Sequence, residues 1–299
     1  MRILIGGSTG LVGTALVTSL KEKGAAVSRL VRSTPTPKTG DVEWHPNRGS
    51  IDTTGLDGFD GVVNLAGESI AEGRWTEGKK RRIRDSRVKG TRLLSESLAA
   101  LSKRPKAFLC ASATGFYGSR EAALLDEDSP SGRGFLAEVC REWEKATEPA
   151  AQAGVRVVNL RFGPILTLEG GMLQKMLPPF KLGLGGKVGS GRQYISWVAM
   201  DDVIGAINFA LENDALRGPV NVVAPNPSTN AEFTKTLGRL ISRPTAFAMP
   251  AVAARLAFGE MADEMLLASQ RVAPKRLKEA GYQFQYSELE SALRHVLEQ

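Results

Sequence analysis

The stretch Arg2-Ile3-Leu4-Ile5-Gly6-Gly7-Ser8-Thr9-Gly10-Leu11-Val12-Gly13 constrains this chain more than any other. Ile3, Leu4 and Ile5 form an unbroken apolar run, as expected of a strand buried on both faces of a parallel sheet. Gly7, Gly10 and Gly13 then fall three apart, and beyond Gly13 the pattern turns helical, with Leu16 and Leu20 four apart. Glycines at such a turn let the backbone bend sharply and approach a pyrophosphate, while the helix N-terminus turns its amides and dipole toward the phosphates. The spacing alone says little. Set between a strand and a helix, and followed by a second strand, it predicts a dinucleotide-binding α/β domain.

The second strand, Val27-Ser28-Arg29-Leu30-Val31-Arg32, is expected to choose the dinucleotide. An NAD site usually ends this strand with a carboxylate for the ribose 2′-hydroxyl, whereas an NADP site places an arginine nearby. Here Arg32 is followed by Ser33, and no Asp or Glu comes before Asp41. A guanidinium grips a 2′-phosphate through parallel hydrogen bonds, and a carboxylate would repel it. NADP is the expected cofactor.

The 299 residues suffice for a doubly wound nucleotide domain and a smaller lobe, and 42% hydrophobic content fits a globular enzyme rather than a disordered chain. No run of eighteen apolar residues occurs, so no membrane partner is expected. The N-terminus runs straight into a strand, which leaves no signal peptide to expect, and Cys110 and Cys140 are the only cysteines. Both features point to a reducing compartment, the cytoplasm. His45 and His295 are the only histidines, and no metal site is expected. The net charge of +7 raises a nucleic-acid reading, but the densest basic run, Lys79-Lys80-Arg81-Arg82-Ile83-Arg84, carries no aromatic residue for base stacking. Consecutive helical residues also point in different directions. A solvated helix face and attraction for a phosphorylated ligand explain the charge.

Further along, Pro35, Pro37 and Pro46 mark loops around one short strand at Val42-Glu43-Trp44. Asp60 to Glu68 reads as a strand running into a small-residue turn, Leu65-Ala66-Gly67, against which a cofactor can lie. Residues 76–102 are helical, with Ile83, Arg87, Gly90, Leu94, Leu98 and Leu101 on one inward stripe. An inward Arg87 needs a partner, either a structural salt bridge or the dinucleotide. The strand Lys106 to Ala111 ends in Ser112-Ala113-Thr114-Gly115-Phe116-Tyr117-Gly118, hydroxyls placed for proton or hydrogen-bond chemistry. A helix is expected from Gly134 to Ala153, then a strand from Val155 to Arg161 and the loop Phe162-Gly163-Pro164. Gly170-Gly171 and Gly183 to Gly191 read as flexible loops of the kind that close over a substrate. A helix from Asp201 to Asn213 and the strand Val220 to Val223 complete the core. Helices at Ala231–Ile241, Ala251–Ser269 and Glu288–Leu297 follow. The expected division is a Rossmann domain over 1–163 plus 201–224 and a mainly helical substrate lobe over 164–200 plus 225–299.

Several of these segments, in order, resemble the extended short-chain dehydrogenase/reductases. They are the glycine turn, Asn64 to Glu68, Ser86-Arg87 with Gly90-Thr91, Ser112 to Gly118 and Asn221 to Pro225. More narrowly the chain is similar to the atypical NAD-dependent epimerase/dehydratase-like group, whose members carry labels such as nucleoside-diphosphate-sugar epimerase-like or SulA-type cell-division protein. The likeness runs end to end, through Phe135 to Cys140, Trp143-Glu144 and Pro274 to Leu277. It implies a Rossmann-type doubly wound parallel sheet, NADP and a small-molecule substrate. The residues expected against the dinucleotide are Gly7, Ser8, Thr9, Gly10, Leu11, Val12, Arg32, Ser33, Leu65, Ala66, Gly67, Arg87, Ala111, Phe162, Pro164 and Ile165.

The broad family's Ser–Tyr–Lys arrangement is not complete here. Ser112 matches the serine. If Glu144 matches the acidic residue that often follows the lysine, the tyrosine position falls at Leu136 and the lysine position at Cys140. No Tyr-x-x-x-Lys occurs anywhere in the chain. Two functions stay open. One is an NADP-dependent oxidoreductase or epimerase-like enzyme acting on a nucleotide sugar or a carbonyl compound, with Ser112, Tyr117 and Glu68 as catalytic candidates and burial raising the Glu68 pKa. The other is a catalytically silent NADP(H)-binding sensor or scaffold, linked through the label of its relatives to cell division.

Overall fold

The computed structural model describes residues 1–35 and 40–298. Pro37 of the proline-marked loop lies outside the described residues. The chain builds one eight-stranded sheet with helices on both faces. Its first half supplies β1 (Arg2–Gly6), α1 (Leu11–Glu22), β2 (Ala26–Val31), β3 (Val42–His45), β4 (Ser50–Ile51), β5 (Gly61–Asn64), α2 (Glu77–Ala100) and β6 (Ala107–Ala113). After a two-residue strand β7 (Leu124–Leu125) come α3 (Phe135–Lys145), α4 (Glu148–Gln152), β8 (Arg156–Phe162), β9 (Ile165–Leu166) and α5 (Gly171–Lys181). Then follow β10 (Tyr194–Ile195), β11 (Val198–Ala199), α6 (Met200–Glu212), β12 (Gly218–Val222), β13 (Ser228–Thr229), α7 (Asn230–Leu240), α8 (Ala251–Phe258), β14 (Arg271–Val272), α9 (Lys275–Glu279) and α10 (Leu289–Glu298).

The sheet order is β12-β8-β6-β5-β1-β2-β3-β4, parallel throughout except for the antiparallel β3–β4 edge. The order reverses between β1 and β5, so the turns that leave these two strands flank the crevice where an open α/β sheet takes its ligand. On one face, Leu16 and Leu20 of α1 and Val203, Ala206 and Ile207 of α6 pack on Ile3, Ile5 and Val63. On the other, Leu94 and Leu98 of α2 and Trp143 of α3 pack on Leu4, Val62 and Phe108. Each such leucine or valine contributes about 1.5–3 kcal/mol when fully buried. A third cluster, with Leu173 and Leu177 of α5, Trp197, Phe233 and Leu237 of α7 and Leu293 of α10, stands apart from the sheet.

The helix expected over 134–153 is two helices. Pro149 has no amide to give, and the Thr147 hydroxyl donates to the Glu144 carbonyl at 2.6 Å, which closes α3 early. The expected long helix from Ala251 stops at Phe258, where Gly259 turns left-handed at φ 61°; a π turn at Ala262–Leu266 follows. Of the expected Gly170-Gly171 loop only Gly170 stays outside a helix, because Gly171 opens α5, which the Pro178-Pro179 pair conceals in the sequence; Leu173, Leu177 and Phe180 bury its inner face. The loop over 183–191 is tied down at Met249, whose N–H donates to the Lys187 carbonyl and whose carbonyl accepts from the Gly189 N–H, both 2.8 Å, and Gly186 packs on the Phe247 backbone.

Candidate active site

Gly7 adopts φ 76°, a conformation that disfavours any side chain, and a Cβ there would lie 2.7 Å from the Ala66 nitrogen. The turn after β1 and the turn after β5 are therefore in backbone contact. Gly13 fits the first turn of α1 against the loop, since a Cβ on it would sit 2.1 Å from the Gly7 carbonyl oxygen. No side chain caps the N-terminus of α1 at Gly10, and no acidic residue stands in its first turn. Free amides beside a close-packed glycine turn suit a pyrophosphate. Ser8 is buried, Thr9 and Gly10 are exposed, and Leu11 packs against Gly170 of the loop ahead of α5.

Asn64 holds the second turn. Its Oδ1 accepts from the Ala66 amide at 3.2 Å, and its Nδ2 donates to the Thr91 hydroxyl at 3.0 Å, which also accepts from Trp143 Nε1 at 2.9 Å. Thr91, on the inward stripe of α2, stood in the sequence only as part of the Gly90-Thr91 segment; its role as the partner of Asn64 comes from the packing of α2 on β5. Arg32 lies exposed just beyond β2, and among the described residues it has no ion-pair partner; Ser33 is exposed beside it. Leu65 and Ala66 are half-buried and Gly67 is exposed; Ala111 is buried near the end of β6, with Phe162 half-buried at the end of β8 and Pro164 and Ile165 half-buried past it.

Arg87 reaches the same edge. Its Nη1 donates to the Glu68 and Ile83 carbonyls at 3.0 and 3.2 Å, its Cζ lies 5.0 Å over the Trp143 ring, and a Cβ on Gly67 would be 3.2 Å from that Cζ. Among the described residues no carboxylate pairs with it, so two carbonyls and a ring stand where a structural salt bridge was one of the two expectations. Burial pulls the guanidinium below its ordinary value, yet an arginine stays charged at neutral pH.

Two of the three catalytic candidates are corrected by their surroundings. Glu68 is no raised-pKa base: Lys79 Nζ bonds its Oε1 at 2.9 Å, Arg82 adds a contact at 3.4 Å, and the Lys79 bond foremost holds the carboxyl below its ordinary value. Tyr117 is fully buried, donates its hydroxyl to Asn221 Oδ1 at 2.7 Å and accepts from Arg161 Nη1 at 2.9 Å. Burial pushes it up to about 12, and its single proton is already committed. Glu68 is thus an ionised carboxylate held by two cations, and Tyr117 is a protonated phenol whose hydrogen bonds are filled within the protein.

Ser112 stands differently. Its hydroxyl donates to Glu144 Oε1 at 2.7 Å, and Glu144 is clamped by Arg161 through Nε at 2.7 Å and Nη2 at 2.8 Å. This two-pronged pair is among the strong hydrogen-bonded arrangements, and both side chains are almost wholly buried. Arg161 also lies 3.5 Å over the Phe116 ring. The chain Ser112–Glu144–Arg161–Tyr117–Asn221 thus joins the ends of β6, β8 and β12 to α3. Arg161 carried no sign in the sequence beyond being a polar residue in an apolar strand, and Asn221 stood out only as the first residue of the Asn221–Pro225 segment.

Leu136 and Cys140 face the turn after β6, since a Cβ on Gly115 would lie 3.2 Å from Leu136 Cβ and 3.9 Å from Cys140 Sγ. The Cys140 thiol is buried and pushed up to about 11, chiefly by burial, with the Glu144 charge adding to it. Cys110 is likewise buried and pushed up to about 12. Because the thiolate is the reactive form, iodoacetamide at pH 8 is expected to label neither cysteine in the folded protein and both in denaturant. Mass spectrometry reads the result, and rapid native labelling of Cys140 would contradict this burial.

The basic run does not form one stripe. Lys79 turns inward to Glu68, Lys80 bonds Glu260, and Arg84 meets Glu138 and Glu142. Glu264 supplies the α3 cap that Gly134 lacks, its carboxylate accepting the Phe135 and Leu136 amides at 3.1 and 3.2 Å.

A glycine-turn Rossmann sheet with a serine at the end of β6 defines a short-chain dehydrogenase/reductase type of protein. The profile of the NAD dependent epimerase/dehydratase family matches residues 3–224, and the chain belongs to that family. A domain of unknown function, DUF1731, matches residues 249–296. An epimerase family protein of Mycobacterium bovis is 44% identical over 97% of this chain and 96% of its own length. Epimerase family protein SDR39U1 of Mus musculus is 38% identical over 99% of this chain and 100% of its own length. The crystal structure of human epimerase family protein SDR39U1 (isoform 2) with NADPH superimposes with a TM-score of 0.91 at 36% identity, covering 100% of this chain and 99% of that one. No helix among the described residues is long and apolar enough to cross a membrane.

Proposed function

We propose that this protein is an NADP(H)-dependent oxidoreductase of the epimerase/dehydratase type, acting on a small carbonyl compound or nucleotide sugar without a tyrosine–lysine pair. The observation that carries the reading is the close-packed glycine turn at an uncapped helix N-terminus, with Arg32 exposed beyond the next strand. Gly7, Ser8, Thr9, Gly10, Leu11 and Val12 would hold the pyrophosphate, and Arg32 with Ser33 the 2′-phosphate. Leu65, Ala66, Gly67, Arg87, Ala111, Phe162, Pro164 and Ile165 would line the remainder. The human relative was crystallised with NADPH, in keeping with this choice.

When bound, the nicotinamide supplies or accepts a hydride. The chain's own contribution is to position and polarise. Ser112 has spent its proton on Glu144, so its oxygen offers substrate only an acceptor and selects a hydroxyl or amide donor. Arg87 brings a permanent positive charge to the end of β5, where it would steady an oxyanion that no side chain protonates. The substrate is assigned to the crevice between the Rossmann domain, 1–163 plus 201–224, and the lobe 164–200 plus 225–299.

Titration by intrinsic fluorescence of the four tryptophans is expected to give tighter binding of NADPH than of NADH. Arg32→Glu should weaken NADPH by about 10- to 100-fold, the worth of one charge-assisted contact, and leave NADH nearly unchanged. Equal affinity of the unaltered protein for both dinucleotides would reject the role given to Arg32. A second reading, a silent NADP(H)-binding sensor or scaffold, draws on Leu136 and Cys140 standing at the tyrosine and lysine positions, with Tyr117 and Glu68 both engaged within the protein. Tight binding without hydride transfer to any carbonyl compound or nucleotide sugar would favour it.

A further inference from the structure

We infer that the surface formed by residues 181–189, 243–249 and α8 docks on an anionic lipid bilayer. Leu182, Leu184, Phe247, Val252 and Leu256 are each between 56% and 75% exposed, and they account for most of the large exposed apolar side chains in the described residues. The backbone holds them on one continuous strip. A Cβ on Gly186 would lie 1.8 Å from the Phe247 carbonyl oxygen, Val188 bridges Met249, and α8 begins two residues later. Of the residues of α8 only Ala254 is buried, and Val252 and Leu256 lie one turn apart on its outer side. Monomeric proteins rarely leave so much apolar surface together without a use for it.

The charge around the strip selects the occupant. Residues 170–200 contain Lys175, Lys181, Lys187 and Arg192 but no Asp or Glu, and residues 241–259 contain Arg243 and Arg255 but again no acid. Arg255 is paired with Asp263, whereas Lys181, Lys187 and Arg243 are exposed with no carboxylate partner among the described residues. A second copy meeting this face about a twofold axis would set like charges against each other, which opposes association. Phospholipid headgroups of negative charge neutralise the cations while the leucines and Phe247 enter the acyl boundary, the pattern of a surface that lies on a membrane. The lack of a spanning segment, from which no membrane partner was expected, has no bearing on a surface of this kind.

Co-sedimentation of the full chain with vesicles tests the inference, using phosphatidylcholine alone and phosphatidylcholine with about one third phosphatidylglycerol. Binding is expected only to the anionic vesicles, weakened at least about tenfold by high salt. The triple variant Leu182→Ser, Phe247→Ser, Leu256→Ser is expected to lose it while binding NADPH as before, the latter showing an intact fold. No sedimentation with anionic vesicles, or equal binding to neutral ones, overturns the inference. So does vesicle binding that survives the triple variant. A concentration-dependent dimer that the same variant dissociates would assign the strip to a second copy instead, and overturns it equally.

Discussion

Arg161→Met is expected to destabilise the fold by about 3–5 kcal/mol, the cost of removing one partner from a buried ion pair. The guanidinium is 3% exposed, clamps both oxygens of Glu144 and donates to Tyr117. Methionine fills the space but leaves a largely buried carboxylate with only the Ser112 hydroxyl, of its present partners, to satisfy it. For a domain of this size the melting temperature should fall on the order of 10 °C. Adding Glu144→Leu should recover part of that loss, because an apolar pair of similar volume often replaces a buried ion pair at little cost. Calorimetry of the two variants separates the cases. A melting temperature unmoved by Arg161→Met would mean that this pair does not hold Ser112 in place.

Gly13→Ala is expected to cut NADPH affinity at least about 100-fold, or roughly 2.7 kcal/mol. The new Cβ would sit 2.1 Å from the Gly7 carbonyl oxygen, a backbone atom that can yield only by moving the turn. The amides at the head of α1 would then no longer converge on the phosphates. Gly24→Ala is the matched control. Gly24, unlike the helical Gly13, has a left-handed backbone, φ 76°, but its Cβ would meet nothing within 4 Å, so about 1 kcal/mol of stability should go with affinity unchanged. Fluorescence titration of both variants decides, and near-normal NADPH binding by Gly13→Ala would remove the glycine turn from the cofactor site.

These two substitutions mark how far the sequence could be read. Gly13 was legible because its meaning is local: a strand, a turn and a helix within a dozen residues, each with its own periodicity. The inward face of α2 was legible for the same reason, and Arg87 was placed on it correctly. Helix ends were read less well. Thr147 with Pro149 broke one helix and Gly259 ended another, where hydrophobic periodicity alone ran straight on. Alpha-helix α5 stayed hidden because Pro178-Pro179 advertises a loop, while Leu173, Leu177 and Phe180 find their partners only in the third core cluster.

The sequence by itself determined the doubly wound sheet, the glycine turn, the lone Arg32 in place of a carboxylate and the missing tyrosine–lysine pair. Each rests on spacing within one segment or on the identity of one side chain. Only the tertiary structure decided what the polar groups do. Tyr117, Glu68 and Ser112 look alike as hydroxyls and carboxylates at strand ends, yet one is sealed against Asn221, one is held ionised by Lys79 and one leans on Glu144. Proton affinity is set by burial and by neighbours brought from distant parts of the chain, and those neighbours exist only once the strands have been laid side by side.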